Sequence, residues 1–178
     1  MDRLVERTTV RIDRLDADLI ELLTESPMLP VMECARRLGV ARGTISSRLA
    51  RLHEAGVIQG IIPRIKPAGF GYTLVAFCQV EIIQRYGHDP VATALEESIP
   101  EIVDMYTVTG SSDLQLRVVA RTPEDLQEIF NRINKVPGVA RTSSSFALHE
   151  HFQGRTLPLV AACARSEADV EKSGQIDQ

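Results

Sequence analysis

Apolar positions between residues 31 and 52 recur with the spacing of two short helices that meet at a glycine. The first set lies at i, i+3, i+4 and i+7 and consists of Val31, Cys34, Ala35 and Leu38. Gly39 follows and supplies the backbone freedom that a tight turn between helices needs. Ile45, Leu49 and Leu52 form a second apolar stripe. The pattern predicts two packed helices joined by a short turn.

The second predicted helix also carries a polar face, which is separate from its apolar stripe. That face has the same helical spacing and consists of Thr44, Ser47, Arg48 and Arg51. A helix of this kind can pack on its own domain while it lies in the major groove of DNA. Charged helix faces are usually only solvated surface, so the helix pattern alone leaves both interpretations open.

Features on either side of the helix pair favour a winged helix-turn-helix domain. A further helix is predicted before the pair, with Asp16 as its cap. Its apolar positions are Leu15, Leu19, Leu22 and Leu23. Gly56 is the predicted end of the recognition helix. Residues 57–65 are predicted to form a short β-hairpin or wing, with Arg64 and Lys66 near its end.

The distribution of charge supports the same interpretation. Residues 29–66 contain seven basic and two acidic residues, a net charge of +5, whereas the whole chain carries −4. Phosphate binding needs a locally positive surface and not a basic protein. The acidic remainder of the chain therefore indicates a second domain with a different task.

The second half of the chain alternates strand and helix patterns in the order β-α-β-β-α-β. The predicted strands are residues 72–83, 102–109, 114–120 and 139–148. Asp89-Pro90 and Thr122-Pro123 open the two helices as a cap followed by proline. This order is the split-βαβ, ferredoxin-like (ACT-like) arrangement, which covers one sheet face with helices and leaves the other open. An open apolar face usually serves self-association or ligand binding.

The chain is therefore predicted to be an α+β protein with a winged helix-turn-helix domain followed by a ferredoxin-like βαββαβ domain. The predicted segments are an N-terminal extension at 1–11, the helix-turn-helix domain at 12–66, a hinge at 67–71, an effector-binding and oligomerisation domain at 72–152, and a C-terminal tail at 153–178. A proline and two glycines interrupt the periodicity at the hinge. The tail is charged and lacks periodicity from Ser166, so we expect it to be partly disordered.

Composition narrows the class of protein. No apolar run approaches the roughly 20 residues of a membrane helix, and the N-terminus lacks the apolar core of a secretory signal. The three cysteines are far apart and lack metal-ligand spacing, as expected of reduced thiols in a cytoplasmic protein.

Two other functional classes compete with DNA binding. His149 and His151 lie on the same face of an extended strand and could hold a metal, but two ligands are too few, and an exposed strand end is the simpler interpretation. No nucleophile elbow or phosphate loop is present either, so we expect neither an enzyme nor a metal site. The split-βαβ fold also hosts RNA-binding modules, which stack bases on strand aromatics. Residues 114–120 contain no aromatic residue, which disfavours that class.

The turn at Gly110-Ser111-Ser112-Asp113 is a candidate site in the second domain. Exposed amides of a glycine turn can donate to a carboxylate, and Asp113 can accept from an ammonium group. Tyr106 could line the same pocket. The alternative is an ordinary β-turn, where Gly, Ser and Asp are common for backbone reasons.

Over residues 12–152 the chain resembles the Lrp/AsnC (feast/famine) family of transcription regulators. The resemblance rests on an ordered set of motifs: Leu15-Asp16, residues 35–40, residues 44–58, Val108 to Asp113, and Val136-Pro137-Gly138-Val139. It implies dimers formed by back-to-back sheets, assembly of dimers into octamers or other higher oligomers, and an amino-acid effector bound between dimers, with no other cofactor. It also implies that the fourth strand takes part in the response. There Ser145 replaces an aromatic residue, and Ser111 and Ser112 depart from the family's turn.

The hypothesis from sequence is therefore a regulator that binds a pseudo-palindromic site on double-stranded DNA through two recognition helices. The predicted DNA-binding residues are Arg42, Thr44, Ser46, Ser47, Arg48 and Arg51, with the arginines on phosphates or guanine edges. The predicted effector-binding residues are Tyr106, Gly110, Ser111, Ser112, Asp113 and Ser145. The alternative is a DNA-binding oligomeric regulator that senses no small molecule.

Overall fold

The computed structural model describes residues 10–174, with side chains up to residue 166. It divides into two compact units. The helical unit consists of the chain up to Pro63 and of the segment that starts at Phe152. The sheet unit is Arg64–His151. The helices are α1 (Arg14–Glu25), α2 (Val31–Leu38), α3 (Arg42–Glu54), α4 (His88–Ser98), α5 (Pro123–Lys135) and α6 (Leu157–Gly174), and the strands are β1 (Leu74–Ile82), β2 (Ile102–Thr107), β3 (Leu114–Ala120) and β4 (Val139–Phe146). The predicted α+β fold class is confirmed.

The helical unit is built on the apolar stripes that the periodicity predicts. Leu19 of α1 and Ile45 and Leu52 of α3 are fully buried in one cluster. Gly39 ends α2 in the left-handed conformation, with φ of 67°, which glycine adopts without steric cost. The N-cap of α1 is Asp13 and not Asp16; Asp16 lies three residues later and closes a capping box with it.

The predicted wing is wrong. Residues 57–66 contain no strand, and a short 3-10 turn follows at Pro67–Phe70. Ile61, Ile62 and Ile65 are exposed, whereas Ile58 of the same segment packs against the core of the helical unit. Pro63 also lacks the backbone N–H that a paired strand would use.

Within the predicted tail, residues 157–174 form α6, so the expectation of disorder from Ser166 is wrong as far as Gly174. Residues 1–9 and 175–178, within the predicted extension and tail, lie outside the described residues. Ala164 is buried in the core of the helical unit, and Val160 packs against the same cluster. Leu157, Val160, Ala161 and Ala164 have helical spacing, and this stripe precedes the charged residues on which the expectation rested.

The sheet unit has the predicted ferredoxin-like topology. Its four strands are antiparallel neighbours in the order β2-β3-β1-β4. Alternate residues of β1 are buried, and they share one core with Val91 and Leu95 of α4 and with Ile129 and Ile133 of α5. The other face of the sheet carries Phe77, which is 40% exposed. One face is therefore covered by helices, and the other is open within the chain.

The packing of α6 can be tested by placing a charge at its buried position. We expect Ala164→Glu to lower the free energy of unfolding by about 1–3 kcal/mol, because the carboxylate would have to be buried or the helix released. Leu159→Glu is the matched control, since Leu159 lies on the same helix and is 65% exposed. Urea unfolding followed by circular dichroism measures both, and equal midpoints would contradict the packing.

Candidate nucleic-acid interface and effector site

The outer face of α3 carries short polar side chains beside one arginine. Burial of Ile45 and Leu52 sets the rotation of the helix about its axis. Arg42, Ser46 and Ser47 are then exposed, and Thr44 is half-buried. Gly43 and Ala50 are also exposed on α3. A helix surface of such small residues can approach base edges closely in a major groove.

Two further candidates, Arg48 and Arg51, are turned towards α1. Arg48 Nη1 donates to Asp16 Oδ1 at 2.9 Å and also to the Asp13 carboxylate. Arg51 donates to the other oxygen of Asp16 and, at 2.8 Å, to the carbonyl oxygen of Arg11. The structure thus places four of the six predicted DNA-binding residues on the accessible part of α3, and sets these two arginines in an ion-pair cluster.

The cluster is organised around a carboxylate that water does not reach. Asp16 is 0% exposed, and no other acidic residue is buried in the part of the chain that the structure describes. Partial burial tends to raise the pKa of Asp13, but the hydrogen bond from Arg48 and that from the backbone N–H of Asp16 outweigh it, so this pKa lies below its ordinary value. The hydrogen bonds that Arg48 donates to Asp13 and, to a lesser extent, to Asp16 raise the pKa of Arg48. Removing one partner of a fully buried ion pair typically costs about 3–5 kcal/mol, and the cost here is smaller because the side chains of Arg48 and Arg51 are 26% and 38% exposed.

A pattern in the sequence could have indicated this cluster. Asp13 and Asp16 are three residues apart, as are Arg48 and Arg51, so each helix presents two like charges on one face, one turn apart. Two such faces of opposite sign suit each other when the helices pack. Spacing within a helix does not say which helices meet.

Two other arginines of the basic segment are also paired. Arg36 and Arg37 of α2 donate to Glu33, with Nε–O distances of 2.7 and 2.9 Å. These hydrogen bonds lower the pKa of Glu33 to about 2, that from Arg36 having the larger effect. The positive charge of residues 29–66 is therefore partly neutralised at the protein surface.

In the sheet unit, Asp113 fastens the Gly110–Asp113 turn to β1. Its Oδ2 accepts from the backbone N–H of Ile82 at 2.7 Å, and its Oδ1 lies 3.2 Å from Nε2 of His88. The Ile82 bond, and to a lesser extent His88, lower the pKa of Asp113, which keeps it ionised. The strand register of β1 on β4 shifts next to Ile82, so Asp113 satisfies a backbone donor at an irregularity of the sheet.

The structure does not bring the six predicted effector residues into one pocket of a single chain. Four of them form the turn. Tyr106, which is 61% exposed, is on β2 at one edge of the sheet, and Ser145 is on β4 at the other edge, with β3 and β1 between them. Ser145 instead lines a shallow cavity of about 330 Å³ on the open face, together with Phe77, Gln79, Gln115, Ser143 and Ser144.

Sequence reasoning missed a second cavity, of about 400 Å³, between α4 and β2. It is lined by Ala92, Glu96, Ile102, Val103, Asp104, Met105, Thr107 and Leu114. No local motif marks it, because it depends on how a helix lies against an edge strand.

Among the residues that the structure describes, no three His, Cys, Asp or Glu side chains lie together in a way that could hold a metal ion. The rings of His149 and His151 meet edge to face, with centroids 4.7 Å apart. No described helix is long and apolar enough to cross a membrane.

Comparison with known proteins matches both units in order. Residues 12–53 match the AsnC-type helix-turn-helix domain, and residues 75–157 match the Lrp/AsnC ligand binding domain. The HTH-type transcriptional regulator FL11 of Pyrococcus horikoshii is 31% identical over 84% of this chain and 98% of its own length. The regulatory protein AsnC of Escherichia coli is 31% identical over 83% of this chain and 97% of its own length.

Solved structures give the same result. Escherichia coli AsnC superposes with a TM-score of 0.74 at 25% identity, covering 83% of this chain and 99% of that one. A feast or famine regulatory protein from M. tuberculosis, complexed with L-methionine, superposes with a TM-score of 0.70 at 29% identity, covering 81% and 97%. On these matches to both of its units, the chain belongs to the Lrp/AsnC family, which consists of DNA-binding transcription regulators and not of enzymes.

Proposed function

We propose that this chain is a sequence-specific regulator whose oligomeric state or affinity for DNA changes when an amino acid binds its sheet unit. The observation that carries the proposal is the exposed face of α3, where Arg42, Ser46 and Ser47 stand above a buried apolar stripe. Thr44 lies at the margin of that face. Two such helices in a dimer would read a pseudo-palindromic site through successive major grooves.

Binding of genomic fragments in the presence of competitor DNA tests this function as a whole. We expect tight binding that weakens with salt and changes when one or a few of the common amino acids are added at about millimolar concentration. Fluorescence anisotropy of labelled upstream fragments measures it. The proposal would be refuted if a genome-wide pull-down recovered no fragment that the protein binds in preference to competitor DNA.

Among the arginines of α3, Arg42 is the one assigned to DNA phosphate. We expect Arg42→Ala to weaken binding to all duplexes and to reduce the slope of log affinity against log salt by about 0.9, the contribution of one phosphate contact. Arg165→Ala removes an exposed arginine from α6 of the same unit and serves as the control. An unchanged slope in the Arg42 variant would remove this residue from the interface.

The proposed effector is an amino acid held at the Gly110–Asp113 turn. Support comes from the family match over residues 75–157, which is to a ligand binding domain, and from the M. tuberculosis relative complexed with L-methionine. The amides at Gly110, Ser111 and Ser112 would donate to the carboxylate of the effector, and ionised Asp113 would accept from its ammonium group. In an assembly, Tyr106 or Ser145 of an adjoining copy could complete the pocket.

Asp113→Asn tests that assignment. The amide oxygen can still accept from the backbone of Ile82, but the negative charge is lost, so we expect L-methionine or another responsive amino acid to bind at least about tenfold more weakly. Glu97→Gln, an exposed acid on α4, is the matched control. Isothermal titration measures both, and equal affinities would exclude Asp113 from the site.

One observation favours the alternative of a regulator without an effector. Both carboxylate oxygens of Asp113 already contact groups of the protein, namely Ile82 and His88. If none of the common amino acids binds or changes DNA affinity, while DNA binding is intact, this alternative replaces the effector proposal, and Asp113 is left with its structural role.

We also propose that the open sheet face pairs two copies into a dimer, and that dimers assemble into an octamer or another higher oligomer. Phe77 and Tyr106 both lie on this face and are 40% and 61% exposed, which is unusual for aromatic side chains on a sheet.

A charge at the centre of that face should prevent pairing. We expect Phe77→Glu to reduce the mass measured by multi-angle light scattering to that of the monomer, because two carboxylates would face each other in the interface. Gln127→Glu on the exposed side of α5 is the control. An unchanged mass in the Phe77 variant would place the dimer interface elsewhere.

A further inference from the structure

The side chains of Arg48 and Arg51 belong to α3 but end at α1. Each of them donates to Asp16, which is 0% exposed, and Arg48 also donates to Asp13. The side chains of Arg48 and Arg51 are 26% and 38% exposed, so both are accessible in part and yet already engaged. Both acids lie outside the basic segment of residues 29–66, so a charge count over that segment does not include them.

We propose that Asp13 and Asp16 are positioning residues that withhold the guanidinium groups of Arg48 and Arg51 from DNA phosphates. The inference rests on the proposed assignment of α3 as the helix that contacts DNA. In this arrangement the two acids neutralise the two arginines, and α3 meets DNA through Arg42 and its short polar side chains. The chain therefore has fewer phosphate contacts, which bind DNA of any sequence, while its contacts with base edges are retained. Non-specific affinity falls relative to specific affinity.

Because Asp16 is buried, it keeps the guanidinium groups of Arg48 and Arg51 from DNA phosphates effectively. A phosphate that captured Arg51 would leave the carboxylate of Asp16 with one partner fewer in a site that water does not reach. Such a loss outweighs the gain from a contact with a solvent-exposed phosphate. The same holds for Arg48, which donates to Asp16 and, in addition, to Asp13, whose side chain is 46% exposed.

The two arginines also orient α3 when they are held. Arg51 joins Asp16 to the carbonyl oxygen of Arg11, and Arg48 joins Asp16 to Asp13, so four hydrogen bonds to three groups at the start of α1 and before it set the position of one side of α3. The same bonds that remove positive charge from the DNA surface thus hold the reading face of α3 in place.

The salt dependence of binding to a random-sequence duplex tests the inference, since each phosphate contact contributes about 0.9 to the slope of log affinity against log salt. The variant Asp13→Asn with Asp16→Asn should free both arginines and steepen this slope by about 0.9 to 1.8, so that affinity falls about three- to twelvefold more between roughly 50 and 200 mM salt. Asn keeps the capping role of position 13. Asp18→Asn, an acid on α1 paired with Arg14, controls for the change of net charge.

A second variant leaves the net charge unchanged. Asp13→Asn with Arg48→Met removes an acid and an arginine together, and we expect the slope to equal that of the wild-type chain. If Arg48 contacts phosphate in the wild-type complex, the slope of this variant falls by about 0.9, as for loss of any single contact.

The outcomes distinguish failure of the proposed role of α3 from failure of the inference about Asp13 and Asp16. A wild-type chain that fails to bind the duplex overturns the assignment of α3 and, with it, the inference. Normal wild-type binding together with a reduced slope in the charge-neutral variant, or with equal slopes for the double Asn variant and Asp18→Asn, overturns the inference alone. If circular dichroism shows that Asp16→Asn prevents folding, the charge-neutral variant decides the question: a slope equal to that of the wild-type chain supports the inference, and a slope reduced by about 0.9 overturns it.

Discussion

A carboxylate buried between two helices determines how the helical unit presents itself. Asp16 lies at the start of α1, where water does not reach it, and it requires positive partners because an unpaired charge there is costly. Arg48 and Arg51 meet that requirement from α3. Since α3 is thereby held on one side by charge and on the other by its apolar stripe, its remaining face, with Arg42, Ser46 and Ser47, has a defined orientation towards solvent.

The sheet unit follows from a different constraint, the period of two along a strand. Alternate residues of β1 are buried against α4 and α5, and the residues between them form the open face. The open face then carries exposed aromatic side chains, and the turn at Gly110–Asp113 lies at the end of the strands, where Asp113 satisfies the backbone of β1. The face proposed for self-association and the turn proposed for effector binding are therefore different parts of one sheet unit.

Helix α6 lies beyond the two segments of the chain that match the family's domains. The match to the ligand binding domain ends at residue 157, where α6 begins, and α6 packs on the helical unit through Val160 and Ala164. The chain consequently passes between the two units twice, before Arg64 and again before Phe152. A family match alone would not indicate this second connection, because it lies at the edge of the matched residues.

Local periodicity determined most of the elements: the helices with Leu19, Ile45 and Leu52 on their buried faces, the strands of the sheet unit, and the turn at Gly39 could all be read from residue spacing. Spacing suffices there because the side chains that share a face lie within a few residues of one another. The tertiary structure decided what depends on a distant partner. It turned Arg48 and Arg51 to Asp16, left residues 57–66 without a strand partner, docked α6 on α1, and engaged Asp113 with Ile82. Three of these outcomes join groups from different elements, whose charges or apolar surfaces acquire a role only when packing brings them together, and the fourth is the lack of such a partner.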